Sequence, residues 1–334
     1  MSPDSQQERI EEALTEDVAA ADRRRNRLVR RILFGCAAIT VLTTIAIFLA
    51  LFDNAVSFFY GTTVHEFLLG TGNPEQRVGV IEFLTDTEWH PSHAIDPRYG
   101  LAPLIAGTLL ITVLASLLSI PVGTATAIYL AEYASPRVRS YLKPTLEILA
   151  GVPTVVYGYF AISFITPVLL NAILGPFGIQ VGRLNALSAS IAVGIMTIPM
   201  VASISEDAMQ AVPDDLKHGA YAMGASKHQV ILGIVLPAAI SGILAAYILA
   251  ISRAIGETMI VALAAGHNPN LTADPLAEVQ TMTAFMVHQV RGTSAVGSVE
   301  YQSLFAVGLA LFLITLGANL LNDVIKRRYR EEYR

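Results

Sequence analysis

Two charged residues, Arg253 and Glu257, lie inside a long apolar stretch of the sequence, residues 237–265. Their spacing of four predicts that they share one face of a helix. Charged side chains deep in a membrane are costly and usually face a bundle interior or a water-filled cavity. The planar guanidinium of arginine suits the oxygens of phosphate, and Glu257 could neutralise Arg253 when no anion is bound. The pair therefore indicates either a polar path for an anion or an ion pair that only fixes helix packing.

The composition places these residues in a membrane protein. Of the 334 residues, 53% are hydrophobic and 15% are charged, whereas a soluble domain has about 25% charged residues. A helix of about 20 apolar residues crosses the hydrocarbon core. The expected fold is therefore an all-α polytopic membrane protein with six transmembrane helices. They are predicted at residues 32–52, 101–130, 146–170, 186–205, 237–265 and 301–325.

The distribution of basic residues predicts the orientation. Of the 22 Lys and Arg residues, 17 fall on the side of the N-terminus, four on the opposite side, and Arg253 within a span. Because cytoplasmic loops are enriched in Lys and Arg, we expect a multi-pass protein of the cell (inner) membrane with both termini in the cytoplasm. The basic residues flank apolar runs and form no continuous face, which argues against a nucleic-acid partner.

The predicted organisation follows from the spans and this orientation. A cytoplasmic polar tail (1–31) precedes the first transmembrane helix (32–52), and an extracytoplasmic loop (53–100) follows it. A core of five transmembrane helices (101–325) includes a cytoplasmic segment at 206–236, and a cytoplasmic basic tail (326–334) ends the chain.

The common enzymatic motifs are absent from the sequence. It contains no G-x-x-x-x-G-K-[ST] phosphate loop, no H-E-x-x-H and no G-x-S-x-G. His90 and His93 could touch a metal from one loop, but the proline between them and the lack of a third ligand favour an ordinary exposed loop. His65, His267 and His288 are interpreted as isolated. We expect no catalytic residue, no metal site and no cofactor in this chain.

The cytoplasmic segment has the pattern of a helix–turn–helix. The run Pro-Asp-Asp at 213–215 suits a helix start, because acidic residues favour the positive end of the helix dipole. Gly224 can adopt the left-handed conformation that ends such a helix, and Ser226 can cap a second helix. Tyr221 and Met223 are available for an apolar contact. The alternative interpretation is a plain amphipathic loop.

Residues 218–237 resemble the EAA motif, E-A-A-x-x-x-G-x(9)-I-x-L-P, of permease subunits of bacterial and archaeal ABC importers. The matching residues are Ala220, Gly224, Ile234, Leu236 and Pro237. His218 stands where that family has its Glu, and Gly219 stands where it has its first Ala. In the family this segment is the coupling helix, which docks into a separate ATPase subunit. The resemblance implies that ATP-Mg is bound by a partner chain.

Four further stretches resemble the phosphate-importer permeases of the PstC type. They are "FLTDTEWHPSHAIDPRYG" (83–100), "IPVGTATAIYLAEYA" (120–134), "LEILAGVPTVVYG" (146–158) and "SRAIGETMIVALAAG" (252–266). The run R-A-x-G-E-T-M occurs in both permeases of that importer, PstC and PstA, and the aromatic segment at 83–100 favours PstC. The resemblance covers roughly residues 80–325. It implies a type I ABC importer permease (MetI-like) bundle in which Arg253 and Glu257 serve phosphate translocation.

The resemblance also implies an assembly. The chain would form one half of a translocation pathway beside a PstA-like permease, above two ATPase subunits and below an extracytoplasmic phosphate-binding protein. The alternatives are a permease for another oxyanion such as molybdate or sulfate, the PstA role in the same importer, a signalling or scaffolding membrane protein, and an ion-coupled secondary transporter that works alone.

Two local patterns complete the expectations. Gly151, Pro153 and Gly158 indicate a kink or close packing in the third span. Tyr157 is expected to be buried with its hydroxyl bonded to the backbone, the alternative being a cavity-lining hydroxyl. Trp89 is expected to be an anchor at the membrane interface, and contact with the binding protein is the alternative.

Overall fold

A computed structural model describes residues 3–69, 77–93, 95–292, 295 and 297–328 of the chain. The α-helices are α1 (Pro3–Tyr60), α2 (Val64–Leu68), α3 (Val80–Thr85), α4 (Ala102–Ile128), α5 (Pro136–Ala150), α6 (Thr154–Phe160), α7 (Asn171–Leu174), α8 (Ala186–Gln210), α9 (Asp214–Ala222), α10 (Lys227–Val230), α11 (Leu236–Ile255), α12 (Met259–Ala264), α13 (Met282–Arg291) and α14 (Val299–Arg328). Wider π-helical turns occupy Tyr129–Tyr133, Ala161–Leu170 and Ile231–Val235, and a 3₁₀ turn occupies Gly175–Phe177. Strands β1 (Trp89–His90) and β2 (Arg98–Tyr99) form an antiparallel hairpin.

Six helical stretches of the described chain are long and apolar enough to cross a membrane, which confirms the predicted all-α polytopic fold. They are Leu28–Tyr60, Ala102–Tyr133, Thr154–Phe177, Ala186–Gln210, Lys227–Ile255 and Val299–Leu321. Each of them overlaps one predicted span.

The bounds of three spans differ from the prediction by seven residues or more. The first span extends to Tyr60, beyond the predicted end at residue 52. In the other two, glycine and proline break the helices. The third span begins at Thr154, since Gly151 and Pro153 separate it from the amphipathic helix α5. The fifth span extends from Lys227 to Ile255 and stops at Gly256, well short of residue 265. Between the predicted fifth and sixth spans lies the largely buried helix α13, for which the sequence analysis made no prediction.

Contacts divide the chain into two units, residues 1–53 and 54–334. In the first unit, most of the described apolar side chains of α1 from Leu28 to Leu49 are exposed, with Leu33 64% and Phe34 74% exposed. An apolar helix without a buried face is typical of a segment surrounded by lipid. In the second unit, we call the end with α2, α3 and the β-hairpin the hairpin end, and the end with α9 and α10 the α9 end.

The second unit is built around the close packing of α4 on α8. A Cβ atom added to Gly123 would lie 2.6 Å from the Cβ of Val201, and one added to Gly194 would lie 3.1 Å from the carbonyl oxygen of Ala115. Small residues let two membrane helices approach closely enough for dispersion contacts between their backbones. Ile111, Val193 and Met196 are buried in the adjoining core.

Two prolines of the spans coincide with wider turns, whereas Pro121 and Pro199 lie within regular α-helix. Pro167 lies within the π-helical turns at Ala161–Leu170, and Pro237 directly follows those at Ile231–Val235. Proline cannot donate a backbone hydrogen bond, and its ring clashes with the carbonyl four residues earlier. A wider turn relieves this clash.

An aromatic cluster holds the hairpin end together. Trp89 is 1% exposed and meets Phe83, Tyr99 and Phe285 edge to face, with the Phe285 ring centroid at 4.8 Å. The prediction of an interfacial anchor at Trp89 is therefore wrong. The indole belongs to the core, because the hairpin folds it inward against α13.

The α4–α8 contact leads to a stability prediction. We expect Gly123→Ala to lower the free energy of unfolding by about 1–3 kcal/mol, because the added methyl group overpacks the contact with Val201. Thermal denaturation of the detergent-solubilised protein measures this. Gly317→Ala is the matched control, since no atom lies within 4 Å of a Cβ at that position on α14. Equal melting temperatures for the two variants would contradict the prediction.

Candidate functional site

Arg253 and Glu257 do not share a helical face, which corrects the prediction from their spacing. Helix α11 ends at Ile255, and Gly256 is its C-cap. Glu257 therefore lies in the short connection between α11 and α12, where the direction of the chain changes. The i, i+4 argument fails because it assumes that one helix continues through both residues.

The carboxylate of Glu257 caps the next helix. Its Oε1 accepts hydrogen bonds from the backbone amides of Met259 at 3.1 Å and Ile260 at 3.2 Å, and Glu257 is 7% exposed. The amides at a helix N-terminus lack partners within the helix and carry partial positive charge. The negative charge of Glu257 is thus matched by α12 and not by Arg253.

Glu257 is also tied to α13 through its backbone. The hydroxyl of Thr283 donates to the Glu257 carbonyl oxygen at 2.6 Å. Residues 256–258 are therefore held between α12 and α13.

Arg253 lies in the last turn of α11 with its side chain exposed. Its Nη2 lies 4.0 Å from the sulfur of Met196 on α8, and no carboxylate among the described residues lies within 4.0 Å of its charged nitrogens. Within the part of the chain that the structure describes, its donors are therefore available to an anion.

The kink predicted in the third span lies next to this site. The hydroxyl of Tyr157 donates to the carbonyl oxygen of Leu149 at 2.8 Å, as expected, and ties α6 to the end of α5. Gly158 packs on α12, because a Cβ atom there would lie 2.9 Å from Leu263 Cδ1 and 3.2 Å from Ile260 Cα. Any larger residue at position 158 would separate α6 from the helix that Glu257 caps.

The segment at 206–236 has the predicted helix–turn–helix form. Helix α9 begins at Asp214, and Gly224 follows it with a left-handed φ of 85°. Ser226 caps α10 with a complete capping box, in which its side chain bonds the amide of Gln229 and the Gln229 side chain bonds the amide of Ser226. The local chemistry of these residues suffices to define the turn.

The residues of the EAA-like pattern divide between packing and exposure. Ala220 and Leu236 are half-buried against the cluster that contains Met209 and Val230. Ile234 is also half-buried, whereas Gly224 and Pro237 are exposed.

Three apolar side chains of α9 and the residue after it face solvent in this chain. Leu216 and Tyr221 are each 40% exposed, and Met223 is 89% exposed. His218 is exposed as well.

Two contacts hold this segment to the end of the second span. Lys217 Nζ lies 3.1 Å from Glu132 Oε1, and both side chains are largely buried. Lys227 Nζ lies 4.7 Å from the centroid of the Tyr133 ring, a cation–π contact. Sequence reasoning missed both contacts, because no sequence pattern pairs residues so far apart in the chain.

A buried carboxylate at the α9 end was also missed. Glu206, in the last turns of α8, is 0% exposed. Its Oε1 lies 2.8 Å from Arg139 Nε, and its Oε2 lies 3.4 Å from Lys143 Nζ. Lys143 also contacts Asp207 at 3.0 Å, and this hydrogen bond raises the pKa of the Lys143 ammonium. From the sequence alone, Arg139 and Lys143 indicated only the orientation of the chain in the membrane.

A cavity of about 940 Å³ opens at the hairpin end. His90, His93, His267 and His288 line it. His267 and His288 are not isolated, as the sequence reading had them, because their Nδ1 atoms lie 2.5 Å apart. Among the described residues no group of three or more metal-ligating side chains is present. Burial lowers the pKa of His288 below its usual value, and the neighbouring His267 lowers it further.

The chain is similar to known transport proteins over most of its length. Residues 119–331 match the family described as "Binding-protein-dependent transport system inner membrane component". The probable ABC transporter permease protein YqgH of Bacillus subtilis (strain 168) is 32% identical over 86% of this chain and 86% of its own. The phosphate transport system permease protein PstC of Mesorhizobium japonicum is 31% identical over 70% of this chain and 74% of its own. The probable PstC of Methanocaldococcus jannaschii is 30% identical over 77% and 84%.

Solved structures support the fold. A bacterial alginate ABC transporter in complex with an alginate pentasaccharide-bound periplasmic protein contains a chain that superposes with a TM-score of 0.63 at 15% identity, over 92% of this chain and 96% of that one. A chain of the inward-facing methionine ABC transporter MetNI superposes with a TM-score of 0.51 at 16% identity, over 70% and 95%. At these identities the likeness concerns the fold alone, a type I importer bundle of the MetI-like kind.

The histidine pair predicts a pH-dependent stability. Because the pKa of His288 is lowered in the folded protein, its contribution to stability is complete above the unfolded value of about 6.5 and is lost as the pH falls from there towards the folded pKa. Melting temperatures measured from pH 7.5 to 5.0 are expected to fall less in His288→Gln than in the unmodified protein. His65→Gln is the matched control, since His65 is exposed on α2. An unchanged pH profile in His288→Gln would disprove this account.

Proposed function

The chain belongs to the family of binding-protein-dependent transport system inner membrane components, as a multi-pass permease subunit of an ABC importer and not an enzyme, and we propose that its substrate is phosphate. In this proposal it is a PstC-type subunit that forms one half of the translocation pathway. Its partner in the membrane is a PstA-like permease, and its energy comes from two separate ATPase subunits. A phosphate-binding protein delivers the anion from the extracytoplasmic side.

The observation that carries the proposal is the environment of Arg253. Its guanidinium is exposed at the end of a membrane span and has no carboxylate partner among the described residues. A planar fork of donors suits the tetrahedral oxygens of phosphate. Glu257, two residues beyond the end of the same helix, is held by backbone amides and leaves this positive charge unneutralised. The PstC relatives favour phosphate over other oxyanions.

The proposed pathway does not require a deep binding site in this chain. A binding protein captures the substrate, so the permease needs only a polar route that an anion crosses without being retained. One exposed arginine, followed in the chain by a carboxylate that caps the next helix, fits such a route. The arginine lowers the electrostatic barrier for an anion, and the few hydrogen bonds between them are easily broken when the anion is released.

The segment at 206–236 is proposed as the site of ATPase coupling. The sequence has no phosphate loop of its own, so energy reaches the membrane helices through a surface. Helix α9 offers that surface with its exposed Leu216, Tyr221 and Met223. The proposed orientation has the α9 end and both termini in the cytoplasm and the hairpin end outside, and the distribution of Lys and Arg along the sequence supports it. Alternating access then follows from a movement of α9 that the ATPases drive.

Removal of the Arg253 charge tests the substrate pathway. We expect Arg253→Gln to lower phosphate uptake about tenfold or more in proteoliposomes that contain the complete importer, because a charge-assisted contact to the anion is lost. Arg183→Gln is the matched control, since Arg183 is also exposed and lies in the connection before α8. Uptake that is unchanged in Arg253→Gln would refute the proposed pathway. Stronger competition by molybdate or sulfate than by unlabelled phosphate would refute phosphate as the substrate.

Gly224 tests the coupling site. A non-glycine residue in the left-handed region costs about 1–2 kcal/mol, so Gly224→Ala is expected to distort the turn after α9 and to weaken the retention of the ATPase subunits about fivefold or more. Gly219→Ala is the control, because Gly219 lies within α9, where a Cβ atom would meet nothing within 4 Å. Co-purification of the ATPase with the two variants measures the difference. Equal retention would contradict a role for this turn in docking.

A further inference from the structure

We propose that Glu206 and Arg139 are a positioning pair, which transmits the movement of the coupling segment to the connection that holds Glu257. The inference rests on the proposed function and adds a second route to it. The first route is helix α11, which has the EAA-like residues at its start and Arg253 in its last turn. At 1.5 Å per residue the two ends of that route are about 25 Å apart.

The first route stops before Glu257. Helix α11 ends at Ile255, and α12 is a separate helix whose first amides bind the Glu257 carboxylate. A shift of α11 along its axis therefore moves Arg253 directly. The position of Glu257 is set instead by the helices that pack on α12.

The second route begins at Glu206. This carboxylate lies four residues before the end of α8, and three residues separate that end from the start of α9. It is 0% exposed and contacts Arg139 Nε on α5 at 2.8 Å. Gln210 Nε2 also donates to it at 2.8 Å. Lys143 of α5 also lies 3.4 Å from this carboxylate. Because separation of the buried carboxylate from these two cations would leave its charge unmatched in a low-dielectric interior, α5 and the end of α8 are expected to move together.

The route continues from α5 to α12. Tyr157 on α6 donates to the carbonyl oxygen of Leu149 in the last turn of α5, so α6 follows α5 across the break at Gly151. Gly158 then packs directly on Ile260 and Leu263 of α12. This series of contacts therefore connects the Glu206–Arg139 ion pair to α12, the helix that Glu257 caps.

A second ion pair at the α9 end also joins α9 to the part of the chain that contains α5. Lys217 of α9 pairs with Glu132, in the π-helical turns that precede α5. The segment 129–150 is therefore held to the coupling segment at two points, by Glu132 near its start and by Arg139 near its middle. We infer that this segment transmits movement from α9 to the third span.

A pair that serves only packing predicts a different outcome from a pair that transmits movement. Loss of packing lowers the amount of assembled importer, and uptake and ATP hydrolysis then fall in proportion. Loss of transmission leaves assembly and hydrolysis in place and lowers the number of anions moved for each ATP hydrolysed. Spatial connection alone does not establish coupling, so the ratio of uptake to hydrolysis is the quantity to measure.

The experiment uses Glu206→Gln in the complete importer in proteoliposomes. This substitution keeps the shape of the side chain and its bond to Gln210 but removes the ion pairs to Arg139 and Lys143. The expected result is about a tenfold fall in anion uptake per ATP hydrolysed, with hydrolysis within about twofold of the unmodified complex. Asp207→Asn is the matched control, because it removes the neighbouring contact to Lys143 at an exposed position.

Two further variants complete the test. Arg139→Gln is expected to lower the ratio as well, though less than Glu206→Gln because Lys143 still contacts the carboxylate, and the double variant is expected to be no worse than Glu206→Gln. If Glu206→Gln does not assemble, Arg139→Gln alone is measured in its place. A ratio that stays at the unmodified value in these variants overturns the inference. Failure of the unmodified complex to take up phosphate refutes the proposed substrate instead, and the ratio is then measured with the anion that is transported.

Discussion

A carboxylate buried in this protein must have its charge matched by a group that it touches, because an unmatched charge in a low-dielectric interior is strongly destabilising. Three of the described carboxylates meet this requirement in different ways. Glu257 binds the backbone amides that start α12, Glu206 binds Arg139, and Glu132 binds Lys217. In each case the matching group starts a new helix or belongs to a distant part of the chain. The buried charges therefore decide which helices are held together.

Breaks in the helices supply the second organising feature. A membrane span must satisfy its backbone hydrogen bonds internally, so a break is tolerated only where other groups replace the lost partners. The break after Ile255 is closed by the Glu257 side chain and by Thr283. The break at Gly151 is bridged by Tyr157, and the turn at Gly224 is exposed at the α9 end. These breaks divide the spans into shorter rigid pieces, which the proposed alternating access requires.

Sequence reasoning succeeded where the information was local. Gly224 and Ser226 act on neighbouring backbone groups, so the turn and the cap of α10 were predictable in detail. It failed at Arg253 and Glu257, where the helical spacing is real but the helix ends between them. The prediction of an interfacial anchor at Trp89 was wrong for a related reason. An aromatic residue near a membrane boundary can belong equally well to an interface or to a core.

The sequence by itself determined that this is a six-span membrane protein, that it lacks a phosphate loop, and that it resembles the permeases of ABC importers. These properties depend on composition, on runs of apolar residues and on short motifs, all of which are readable along the chain. Only the tertiary structure decided the partners of Glu206, of Glu132 and of the His267–His288 pair. Each of these contacts joins residues that are more than about one helix length apart in the chain, and their meeting depends on how whole helices pack, which no local pattern encodes.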